Sequence, residues 1–167
     1  MSDTPAEPQA PSGNAPMMRL LNQYLKDLSF ESPNAPHSVR PDMPPPQVDV
    51  SVDVNARRIA DDQYEVELAC SAKATRDGDA VFLVETNYAG LFMIQNLPAE
   101  QIEPALLVEA PRLLFPFARQ IIANSTRDGG FMPLMLEPLD FATMYRMQLS
   151  QRQQAAQGDG PAPVGTA

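Results

Sequence analysis

Residues 48–71, VDVSVDVNARRIADDQYEVELACS, hold two strict alternations separated by a pair of aspartates. Val48, Val50, Val52 and Val54 fall on one side with Asp49, Ser51 and Asp53 on the other, the period of two that a half-buried strand requires. After a turn at Asp61 and Asp62 the pattern resumes, with Tyr64, Val66, Leu68 and Cys70 inward and Glu65 and Glu67 on a solvent face. Two alternating runs joined by a short polar turn predict neighbouring antiparallel strands.

Working outward, Asp77-Gly78-Asp79 reads as a second hairpin turn, leading into AVFLVETNY at 80–88. That run is apolar on both sides, Phe82, Val84 and Thr86 on one and Val81 and Leu83 on the other, so it needs cover on both faces. Upstream, the same period sets Tyr24, Lys26, Leu28 and Phe30 on one face and Leu25, Asp27, Ser29 and Glu31 on the other. Four strands therefore lie between Tyr24 and Tyr88.

Beyond Asn96 the period changes. Ile102, Leu106 and Leu107 mark a short helix with Asn96 as its cap and Pro98 in its first turn. In RLLFPFARQIIANST, 112–126, Leu114, Phe117, Ile121 and Ser125 form a stripe that suits a helix lying on a sheet, with Pro116 near its start. Asp128-Gly129-Gly130 stops that helix, FMPLMLEPL (131–139) is an extended apolar loop, and Asp140 caps a last helix, FATMYRMQLSQ. Strands followed by helices predict an α+β fold, a four-stranded antiparallel sheet with helices packed on one face. The apolar residues on the other face of the fourth strand call for a second subunit.

The chain of 167 residues has 18 prolines and is 44% hydrophobic, enough for one core with tails. Residues 19–150 are read as the domain; 1–18 and 151–167 are too poor in large apolar groups to offset their ordering entropy. No apolar h-region and no run of 18 apolar residues occurs, which predicts a soluble cytoplasmic protein without stable membrane insertion. The net charge of −9 is concentrated between residues 27 and 109, where fifteen acids face five bases. A field of that sign repels nucleic acid and favours a basic partner.

No catalytic or metal-binding constellation is legible. The single His37 sits in a turn as a hydrogen-bonding loop residue, the single Cys70 reads as a small buried apolar group, and no paired Cys or His spacing or phosphate-binding glycine loop occurs. The chain is read as no enzyme, with no metal and no cofactor. Nine methionines, Met132, Met135, Met144 and Met147 among them near Phe131, Phe141 and Tyr145, suggest an adaptable apolar surface.

Four segments together resemble SecB, the bacterial protein-export chaperone family: KDLSFESPNAPH (26–37), DDQYEVELACSAKAT (61–75), FLVETNYAGLFMI (82–94) and LLFPFARQIIANSTRDGGFMPLMLEPLDF (113–141). Met132 stands where the family usually has a proline, and Met43 where some members have an aromatic. The resemblance implies a homotetramer, a dimer of dimers, with Val84, Thr86 and Tyr88 near the subunit contacts. It implies clients that are unfolded precursor proteins, held without ATP in grooves that would include Met43, Phe131, Met132, Leu134, Leu136, Phe141 and Tyr145. It also implies docking on the basic, zinc-bearing C-terminal segment of the SecA motor through Asp27, Glu31, Leu83 and Glu85. Two other readings are a carrier of a small hydrophobic ligand and a SecB-like chaperone serving a toxin–antitoxin system.

Overall fold

A computed structural model describes residues 13–158. Four long strands come first: β1 (Met17–Glu31), β2 (Gln47–Ala60), β3 (Gln63–Arg76) and β4 (Asp79–Gln95). They form one antiparallel sheet in the order β1-β4-β3-β2. The hairpin turns are those the sequence predicts. Asp62, Asp77 and Gly78 take positive φ of 59°, 52° and 88°, the left-handed backbone that a tight two-residue turn demands. The strands are longer than the alternation suggested. β1 starts at Met17, inside the expected tail, and β4 runs on to Gln95.

The helices follow as α1 (Ala99–Pro104), a π-helical turn (Ala105–Glu109), α2 (Ala110–Asp128) and, after an irregular stretch, α3 (Phe141–Gly158). Asn96 does not cap α1. It ends β4 at a φ of 57°, and Pro98 holds the cap position. The first two helices are one continuous rod rather than two pieces. Pro104 and Pro111 each lack an N–H to donate, and the wider turn between them shifts the bonding pattern, Ala110 N donating to Ala105 O. Pro116 lies inside α2, not at its start. α3 reaches Gly158, past the expected domain end at 150; residues 1–12 and 159–167 of the expected tails lie outside the described residues.

α2 packs over β4 and β3. Gly90 makes that approach possible, because a Cβ there would sit 2.9 Å from Leu114 Cδ2 and 2.7 Å from the Phe92 ring. The buried side of α2 is Leu114, Phe115, Ala118 and Ile122, so the stripe is rotated from the expected one, and Phe117 stays exposed. The core joins these to Val66, Leu68, Cys70 and Ala72 of β3 and to Phe82, Val84 and Phe92 of β4. Cys70 is buried as expected, and that burial, with Asp53 nearby, pushes its thiol up to about 12. Among the described residues no helix is long and apolar enough to cross a membrane.

Candidate functional site

Three surfaces carry unspent chemistry: the apolar segment after α2, the sheet face turned away from the helices, and the bare part of β1 beside α2.

The segment 131–140 is irregular, as its prolines dictate, and is tied down at defined points. Phe131 N donates to Thr126 O at 3.0 Å, and Leu134 N donates to Thr126 Oγ1 at 2.9 Å, so one buried threonine at the end of α2 fixes the loop's course. The Phe131 ring lies over Phe82 and Phe30, with centroids 5.0 and 6.4 Å away, and Gly129 has no Cβ where the Phe30 ring sits. At the far end Asp140 caps α3: Oδ1 accepts from Thr143 N at 3.0 Å and Oδ2 from Thr143 Oγ1 at 2.8 Å. These bonds hold the Asp140 carboxyl below its ordinary range.

Of the expected groove residues, Met132 is 87% exposed, Met43 is exposed in the connection between β1 and β2, and Phe131, Leu134 and Tyr145 are half-buried. Leu136 and Phe141 are buried, because the loop folds them under; Phe141 meets Phe115 edge to face at 5.9 Å and, with Tyr145 and Val52, borders a cleft of about 260 Å³. Met43 instead lines a separate cleft of about 310 Å³ with His37 and Arg76. Met135, one of the methionines expected to form an adaptable apolar surface, is exposed, and Val48 and Val50, expected inward, are exposed as well. Two clefts of about 480 and 450 Å³, both lined by residues of α1 and α3, are open surface features, which does not suit an enclosed small-ligand carrier.

On the outer sheet face the register settles the arrangement of the acids. Asp27 pairs with Asn87, Ser29 with Glu85 and Glu31 with Leu83, so Asp27, Glu31, Leu83 and Glu85 occupy one face of two neighbouring strands. All three acids are exposed and Leu83 is half-buried. Among the described residues none of the three makes an ion pair. Asp49 and Asp53 of β2 extend the same face, with Lys73 opposite Asp49.

Farther along that face lies a different cluster. Glu65, expected in solvent, is 4% exposed. Its Oε1 accepts from Tyr24 Oη at 2.5 Å, and its Oε2 accepts from Arg57 Nε at 2.6 Å and from Lys26 Nζ at 3.3 Å. Lys26 also pairs with Glu67, which accepts from Asn87 Nδ2 at 2.9 Å. The Tyr24 bond first, then Arg57 and Lys26, hold the Glu65 carboxyl down at about 2 against the opposing effect of burial. Burial and the same bond push the Tyr24 hydroxyl up.

Val84, Thr86 and Tyr88, expected near subunit contacts, are 0, 3 and 8% exposed. They face α2, and Tyr88 stacks on Phe117 with centroids 5.9 Å apart. Within the single chain they are buried beneath its own helix. What lies bare is Leu25 and Leu28 on the helix side of β1, opposite Tyr88 and Thr86, together with Leu113 and Phe117 on α2.

Comparison with known proteins gives a consistent result. The family described as preprotein translocase subunit SecB matches residues 11–152. The chain is 50% identical to the protein-export protein SecB of Maricaulis maris over 159 residues, covering 95% of this chain and 92% of that one. It is 51% identical to the protein of the same name from Bradyrhizobium sp. over 143 residues, 86% and 88% of the two chains. Among solved structures, its fold is similar to a Mycobacterium tuberculosis SecB-like chaperone in complex with an antitoxin peptide, at a TM-score of 0.61 and 16% identity, covering 73% of this chain and 90% of that one.

Proposed function

The chain belongs to the SecB family of preprotein translocase subunits, and from that premise we propose that it is an ATP-independent cytoplasmic chaperone that holds unfolded precursors and delivers them to the SecA motor. The family is one of chaperones, not enzymes. The observation that carries the holding role is the anchored apolar loop, whose Met132 and Met135 stand in solvent. Exposed methionines on a fixed loop adapt to many apolar sequences, and binding through them grows with the apolar area a client buries. Folded proteins have little such area to offer.

Delivery is supported by Asp27, Glu31 and Glu85, which are exposed and make no ion pair among the described residues around half-buried Leu83. A basic SecA segment would find its charges met there with an apolar contact at the centre. Assembly as a homotetramer, a dimer of dimers, is supported by the bare Leu25, Leu28, Leu113 and Phe117, which take the place of Val84, Thr86 and Tyr88 as the contact surface.

One experiment separates holding from delivery. The variant with Asp27→Asn, Glu31→Gln and Glu85→Gln, and separately Leu83→Ala, is titrated calorimetrically with the SecA C-terminal segment at two salt concentrations. In parallel each is tested for delaying the refolding of an unfolded precursor. The triple variant should lose affinity at low salt and converge on the parent at high salt. Leu83→Ala should weaken docking by about 1–2 kcal/mol at both. Refolding delay should survive in both variants. Equal affinity of parent and triple variant at low salt would show that the acidic face is not where SecA lands, and a parent unable to delay refolding would remove the chaperone reading itself.

A further inference from the structure

The outer face of the sheet is acidic, but a base stands inside it. Across the strand order β1-β4-β3-β2 the register sets Glu31, Leu83, Lys73 and Asp49 in one row and Ser29, Glu85, Ser71 and Ser51 in the next. Lys73 is therefore the neighbour of Leu83 on the side away from Glu31, and Glu85 lies diagonally across from it. It is exposed. Two strand spacings separate Lys73 from Glu31, roughly 10 Å, so the carboxylates of these two rows lie within about a Debye length of its charge at moderate salt. The sequence holds two lysines. Lys26 is tied to Glu65 and Glu67, whereas Lys73 makes no ion pair among the described residues, not even with Asp49 directly opposite. Its ammonium is left to act on whatever the acids attract.

We propose that Lys73 sets the specificity of the acidic face, by repelling any segment that brings a base over Leu83. This rests on the SecA-docking reading of that face and adds to it the pattern a docked segment must have. A basic side chain that meets Asp27, Glu31 or Glu85 gains attraction, but one carried over Leu83 comes within reach of the Lys73 ammonium, where like charges oppose each other. The fitting occupant is a basic segment whose charges flank an apolar or small neutral residue. That residue lies on Leu83 and along the methylenes of Lys73. A chain that is basic throughout is drawn in from a distance and penalised at contact. Lys73 thus discriminates among basic chains that the net charge of the face would accept alike, at some cost in overall attraction.

The test uses the full-length protein and three variants of it: Lys73→Met, which keeps the apolar stem without the charge, Lys73→Arg, which keeps the charge, and the triple amide variant at Asp27, Glu31 and Glu85. Each is titrated calorimetrically with the SecA C-terminal segment and with decalysine, a peptide that cannot keep a base away from Leu83. At low salt Lys73→Met should bind decalysine about three- to ten-fold more tightly than the parent does, and the SecA segment with less than about a two-fold change. Lys73→Arg should keep the parent's preference between the two ligands. The gain should vanish at high salt. Decalysine held no better by Lys73→Met than by the parent, an equal gain for both ligands, or the same loss of preference in Lys73→Arg would each overturn this role of Lys73. Docking itself would stand in those cases as long as the triple variant loses affinity for the SecA segment. A parent that does not bind the SecA segment, or binds it no better than the triple variant does, would remove the docking reading and this one with it.

Discussion

At the scale of single residues, Glu65 shows how a carboxylate can belong to the sheet rather than to the solvent. Its alternation assigns it correctly to the outer face, but the period cannot show that Tyr24 and Lys26 of β1 and Arg57 of β2 converge on that spot. The carboxyl is lowered from 4.5 to about 2 in the fold, a difference worth on the order of 3 kcal/mol. Because the folded value is the lower one, this contribution is complete above about pH 4.5 and is lost as pH falls through the range toward 2. Glu65→Gln should destabilise the protein by about 2–3 kcal/mol near neutrality, and urea melts at a series of pH values should show that deficit closing between pH 4.5 and 2. A deficit of constant size across that range would mean that the loss comes from packing and not from charge.

Among the elements, β1 differs most from its reading in the sequence. The expected face of Tyr24, Lys26, Leu28 and Phe30 is split by the irregularity at Lys26. Tyr24 and Lys26 turn to the outer side, where Glu65 and Glu67 meet them, while Leu28 and Phe30 stay on the helix side. A bulge adds one residue without altering composition, so strict alternation reads straight through it. The grouping of Asp27 with Glu31 survives because both lie on the same side of the slip. The helix stripe was rotated for a related reason: α2 reaches over β4 and β3 and leaves Phe117 at its margin, a matter of docking angle that periodicity does not encode. The assembly prediction follows from where that margin lies. Leu113→Asp with Phe117→Asp, both on exposed positions, should keep the fold by circular dichroism and lower the sedimenting mass to dimers or monomers. Val84→Asp, at a site with no exposure, should instead unfold the chain, at a cost of about 4 kcal/mol or more. An unchanged mass for the double variant would exclude this surface from the assembly.

For the whole molecule, the strand count, the antiparallel pairing, both hairpin turns, the glycine stop after α2, the irregular apolar loop and the Asp140 cap are legible in the sequence, since each rests on local chemistry. The separation of exposed from buried residues within the apolar segments is not local. Leu136 and Phe141 look like Met132 and Met135 in composition, yet the first two close the core and the others face water. Val48 and Val50 read as core valines until the strand order places β2 at an edge. The acidic face was legible as a set of residues, and its continuity across β1 and β4 comes from the register. What unites these surfaces is a protein that keeps apolar material in solvent on a rigid frame, which is of use for holding chains that have not folded. The most direct measurement is native mass spectrometry of the assembly, without nucleotide, mixed with one export precursor in its unfolded and in its folded form. The account predicts that the unfolded form is retained and the folded form is not; equal retention of the two, or retention of neither, would contradict it.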